Sequence, residues 1–122
     1  MDDEMPVADL RMRSVVFDCA DPRSLAAFWR QITGYEEGTV DDDWCSLHSA
    51  DGRDRIGFQK VPEAKTVKNR VHLDLSSRDE EAAVAALEAV GATRLWASED
   101  PDDPFVVLAD PEGNEFCVVR AP

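Results

Sequence analysis

The sequence predicts an α+β fold in which one β-α-β-β-β unit is written twice, and three observations predict it. Two helix signals, each an Asp followed by an apolar stripe and closed by a glycine, start at Asp21 and Asp79 and stop at Gly34 and Gly91. Each follows a run of β-formers and precedes three short strand candidates. Asp79 lies 58 positions beyond Asp21 and Gly91 lies 57 beyond Gly34, so the halves agree with a slip of one residue. A helix covers one face of a sheet, so each half has a second face that must find a partner or a ligand.

The elements follow in order. Ser14 to Cys19 (SVVFDC) is rich in residues that suit a pleated strand. Asp21-Pro22 supplies an N-cap and a proline at the first helical position. Leu25, Phe28, Trp29 and Ile32 then fall on one helical stripe, and Gly34 stands where a left-handed stop belongs. Strands are expected over 35–40, 44–48 and 55–61, with Asp51-Gly52 as the hairpin turn between the last two. The polar, Pro-led stretch 62–69 reads as a linker joining modules of about 12–61 and 70–121 within a single domain.

The second unit opens with the strand Val71 to Leu75 (VHLDL). Asp79 caps the next helix, Glu80 and Glu81 oppose its dipole favourably, and Ala83, Val84, Leu87 and Val90 form its stripe. Strands over 93–97, 105–109 and 115–120 complete it, the last one entered through the turn Asp110-Pro111-Glu112-Gly113-Asn114.

Composition bounds the function. With 122 residues, 43% of them apolar, the chain can bury a core without staples. Its three cysteines, Cys19, Cys45 and Cys117, are widely spaced and form no C-x-x-C pair, so each is expected to be a small packed hydrophobe. The net charge of -13 would be repelled by phosphate backbones and anionic membrane faces, which argues against nucleic-acid and membrane partners. No long apolar span and no basic leader precede the first strand, and a cytoplasmic location is expected.

Strand alternation sorts side chains between the helix-covered and uncovered faces. It sends Val71, Leu73 and Leu75 toward the helix and His72 and Asp74 away from it. The same rule sends Ser14, Asp18, Gln59 and Cys117 to uncovered faces, while Trp44 suits either a cavity wall or the core. Trp96, beside the acidic loop 98–103, is placed to cover a pocket mouth, and His48 is expected at the surface.

The duplicated unit, the Asp21-Pro22 helix start with Phe28-Trp29, the strand His72-Leu73-Asp74-Leu75 and the DPEGNEF turn together resemble the glyoxalase/bleomycin-resistance group of the vicinal oxygen chelate superfamily. The resemblance spans about residues 12–121. It implies a concave, mostly antiparallel sheet pair with helices outside, and in metal enzymes of the group four strands supply His, Gln or Glu ligands to a divalent ion. Carried over, those positions fall on Ser14, Gln59, His72 and Cys117. Only His72 is a standard ligand and Gln59 offers an amide oxygen, so the cofactor expected is either none or a divalent metal held by His72 and Gln59. Residues two apart on a strand stand about 7 Å apart, so Asp74 is not expected to share one ion with His72.

Two functional readings result. The first is a small-molecule-binding protein that binds or sequesters a metabolite or antibiotic between the sheets, with Ser14, Asp18, Trp44, Gln59, Asp74 and Cys117 in contact; the acidity suits a cationic ligand. The second is a lyase or isomerase of the glyoxalase type with His72 as catalytic residue, acting as metal ligand or as general base oriented by Asp74. A pure interaction module would instead fill the uncovered faces with apolar side chains. A homodimer is expected, because half-sheet faces on so small a chain need a partner.

Overall fold

The computed structural model describes residues 7–122. Its elements are β1 (Val15–Cys19), α1 (Pro22–Thr33), β2 (Glu36–Val40), β3 (Trp44–His48) and β4 (Arg55–Lys60), then β5 (Leu73–Ser77), α2 (Glu80–Ala89), β6 (Thr93–Ala97), β7 (Phe105–Ala109) and β8 (Glu115–Arg120). The first sheet runs β1-β4-β3-β2 and the second β5-β8-β7-β6. In each, the opening strand pairs in parallel with the closing one and the rest is antiparallel. The duplication extends to irregularities, since the edge strands β2 and β6 each carry a register shift.

Both helices start as expected. Asp21 accepts from the Ser24 N–H and Asp79 from the Ala82 N–H. Gly34 (φ 72°) and Gly91 (φ 120°) adopt the positive φ that ends each helical run, a conformation that favours glycine.

One core lies on the helix side of both sheets. Trp29 is completely buried and its ring lies 5.2 Å from that of Phe17 on β1 and 5.1 Å from that of Phe116 on β8. Its indole N–H donates to Asp110, which is itself 97% inaccessible, over 3.0 Å. The turn that follows Asp110 reaches back to the first module, where Glu112 accepts from the Ala20 and Asp21 N–H groups just before α1. The modules are therefore joined through α1 and the β7–β8 turn.

The second module begins later than the sequence suggests. Strand pairing starts at Leu73 opposite Phe116, so Val71 and His72 lie outside β5, and Val71 is exposed rather than packed under the helix. The cause is Asn69. Its side chain donates to the carbonyls of Val71 and Glu115 and accepts from the Glu115 N–H, taking the backbone groups that a longer ladder would use.

Glu115 completes this clamp by accepting from the Asn69 N–H at 3.2 Å and pairing with Lys65 at 3.3 Å. Burial alone would raise the Glu115 carboxyl, but these donors and its own N–H hold it below its ordinary value of 4.5. A carboxylate depressed on folding contributes stability above its unfolded pKa and loses it as pH falls through the folded value. Glu115→Gln is thus expected to destabilise by about 0.5–1.5 kcal/mol at pH 7. Urea unfolding of the two proteins should show that difference vanishing below the carboxylate range.

Candidate functional site

Side chains directly opposite in register share a face, which fixes the uncovered surfaces. On the first sheet Asp18 lies opposite Gln59 and Gln59 opposite Trp44. The Trp44 indole lies across Gly57, where a Cβ would fall 2.3 Å from it, so this glycine makes room for the ring. Gln59 is exposed, and its amide nitrogen donates to the carbonyls of Asp43 and Lys60, both at 3.3 Å. Ser46, on the same face, is buried and accepts from the Thr39 N–H inside the β2 irregularity.

On the second sheet Asp74 lies opposite Cys117, Cys117 opposite Val107, and Val107 opposite Trp96. Trp96 is 56% exposed and packs edge-on against Phe105 at 5.5 Å. His72 stands just ahead of β5 with its Nε2 3.3 Å from the Asp74 carboxylate. This corrects the spacing argument. Because His72 is outside the pleated strand, its ring can turn toward Asp74, and side-chain reach closes a gap that the backbone leaves open.

The same geometry corrects the view of Cys117 as a plain packed thiol. Cys19 and Cys45 are buried, but Cys117 is only half-buried and faces Asp74 and His72. Burial and then the Asp74 carboxylate push the Cys117 thiol above its ordinary value of 9.0, while Lys68 works in the opposite direction. Cys19 is pushed up to about 12, by burial first and then by Glu112, Asp18 and Asp21.

Two grooves bear on these residues, and a third lies elsewhere. An open groove of about 790 Å³ is lined by Val16 and Asp18 of β1, by the linker, and by His72 and Glu115. A smaller one of about 310 Å³ holds Ser14 and Asp74. The third, of about 720 Å³, runs along α1, β2 and β3 and contains none of Ser14, Asp18, Trp44, Gln59, His72, Asp74 and Cys117. The structure thus brings His72 and Asp18 to one hollow and His72, Asp74 and Cys117 into one cluster. Trp44 and Gln59 stay together on the first sheet, and Ser14 shares the smaller groove with Asp74. The large groove carries Lys65, Lys68 and Arg70 as well as acids, a feature the net charge conceals.

The paired four-stranded sheets with helices outside define the glyoxalase/bleomycin-resistance fold. The glyoxalase-like domain profile matches residues 14–119, and the chain belongs to that family. No curated protein matches the sequence. Among solved structures, the chain is similar to a glyoxalase/bleomycin resistance protein/dioxygenase family enzyme from Burkholderia phytofirmans PsJN (TM-score 0.73, 23% identity, covering 90% of this chain and 98% of that one). It is also similar to the bleomycin-binding protein of Streptomyces verticillus, solved with copper(II)-bleomycin (TM-score 0.65, 16% identity, 95% and 100% covered). A third is the fosfomycin resistance protein FosX from Mesorhizobium loti (TM-score 0.71, 9% identity, 92% of each chain). Among the described residues no helix is long and apolar enough to cross a membrane.

Proposed function

We propose that this protein binds a compact organic ligand in the 790 Å³ groove, with His72 and Asp18 as its polar contacts and Asp74 and Cys117 behind His72. The observation that carries this reading is the chemistry of the uncovered faces. An interaction module would present apolar side chains there, whereas the His72 imidazole and the Asp18 carboxylate stand exposed at an open hollow, with Asp74 and the half-exposed Cys117 thiol close to His72. Lys65, Lys68 and Arg70 at the groove favour a ligand that also bears an anionic group over a purely cationic one.

The relatives give the first compounds to try. Metal-free bleomycin and fosfomycin, one cationic and one anionic, are titrated against the full chain in the presence of a chelator, with tryptophan fluorescence and calorimetry as readouts. Saturable binding that weakens at least about tenfold in His72→Ala, a surface change that leaves the core intact, supports the groove. Binding that is unaffected by His72→Ala and by Asp18→Asn overturns it.

A second reading has its own support in the 3.3 Å approach of His72 to Asp74, which suits an imidazole oriented by a carboxylate for proton exchange. Under either reading the working form is a homodimer. Its support is that Val16 and Trp96 leave apolar surface on the uncovered side, which a second copy would bury. Sedimentation giving only monomer at micromolar concentration counts against it.

A further inference from the structure

The ion site implied by the family draws its donors from both modules, and in this chain one of those positions, Ser14, carries only a hydroxyl, a poor ligand for a divalent ion. Ser14 and Gln59 belong to the first module, and the Gln59 amide nitrogen is engaged with the backbone at Asp43 and Lys60. A different set gathers. A His72 ring nitrogen, an Asp74 oxygen and the Cys117 sulfur lie within 4.8 Å of one another, all supplied by the second module. We infer that this trio is a binding site for a borderline-soft divalent ion, Zn²⁺ foremost, complete within one module and independent of Ser14 and Gln59.

The geometry is close to what the ion requires. Bonds of roughly 2.0–2.3 Å to N, O and S place the donors of a tetrahedral site roughly 3.3–3.8 Å apart. His72 and Asp74 already stand 3.3 Å apart, so the remaining closure is about 1 Å. Side-chain rotation supplies it, because the imidazole and carboxylate are 47% and 58% exposed. The scaffold is firmer than the side chains. Parallel pairing of β5 with β8 sets Asp74 opposite Cys117, and the Asn69 clamp fixes the approach of the chain to His72.

The donor set selects the ion. A thiolate with an imidazole and a carboxylate suits Zn²⁺ or Co²⁺ and disfavours Mg²⁺ or Ca²⁺, which want oxygen alone. Three protein donors leave a fourth position open, the pattern of sites that admit water or a ligand rather than of closed structural ones. As the sulfur–metal bond forms, the thiol proton passes to solvent, so the ion needs no other reactant.

The test is a titration of the full, chelator-treated chain with Co²⁺, followed by displacement with Zn²⁺. One equivalent of Co²⁺ is expected, with a near-ultraviolet sulfur-to-cobalt charge-transfer band that Zn²⁺ abolishes. Cys117→Ser should remove the band, and His72→Ala and Asp74→Asn should each weaken Zn²⁺ by at least about tenfold. Ser14→Ala and Gln59→Ala should change nothing, and circular dichroism confirms that each variant is folded. Absence of a one-to-one complex, a band that survives Cys117→Ser, or an equal loss in Gln59→Ala would each overturn the inference. The inference does not rest on the groove's small-molecule role, because that role is read without metal and this one without an organic ligand.

Discussion

Trp29→Ala is expected to lower the unfolding free energy by about 3–5 kcal/mol, the range for deleting a fully buried large aromatic. Total stabilities of domains this size are about 5–15 kcal/mol, so the loss would take a large share of the fold. The indole earns that weight by position rather than by size alone. It touches Phe17 of the first sheet and Phe116 of the second, and nothing else in the chain bridges both sheets at ring-to-ring distances near 5 Å among the described residues. Urea unfolding at 25 °C gives the measurement, through the midpoint shift at constant slope. A loss below about 1 kcal/mol would mean that the modules stand without this bridge.

How far the sequence reveals this molecule depends on the range of the interaction. Asp21, Asp79, Gly34 and Gly91 act on backbone groups within a few residues, and the helices they bound lie where spacing puts them. Alternation in β8 likewise separates Phe116 and Val118 from Cys117 and Val119, because the pleat is a local property. Asn69 shows where the method fails. Its side chain acts on Glu115, 46 positions away, and by occupying those backbone groups it moves the start of β5 past His72. No periodicity in VHLDL signals that. The His72–Asp74–Cys117 cluster depends on this shift and on rotamers, so sequence supplied its members but not their meeting.

The Trp29–Asp110 contact was beyond sequence reasoning for the same reason, and it yields the second large effect. Asp110 reads locally as the first residue of a turn, and it does serve that turn. Its carboxylate accepts from the Glu112 and Asn114 N–H groups, each at 2.9 Å, and from the Asn114 side-chain amide. The remaining donor comes from 81 positions away, the Trp29 indole. A carboxylate this deeply buried is tolerated when its acceptors are filled, and here neutral donors fill them. Asp110→Ala strands all of these donors and is expected to destabilise by about 3 kcal/mol, the desolvation regained offsetting part of several charge-assisted bonds. Asp110→Asn keeps the shape but turns two N–H donors toward groups that also donate, and should lose about 2 kcal/mol.

Whether the turn and the inter-module bond act as one unit is decided by a cycle of Trp29→Phe, Asp110→Asn and the double variant. If the indole N–H depends on this carboxylate, the two changes overlap and the double variant loses about 1 kcal/mol or more less than the sum of the singles. Simple additivity would separate them. The DPEGN turn would then hold β7 to β8 alone, and the joint between modules would rest on Glu112 at the start of α1 and on the aromatic contacts.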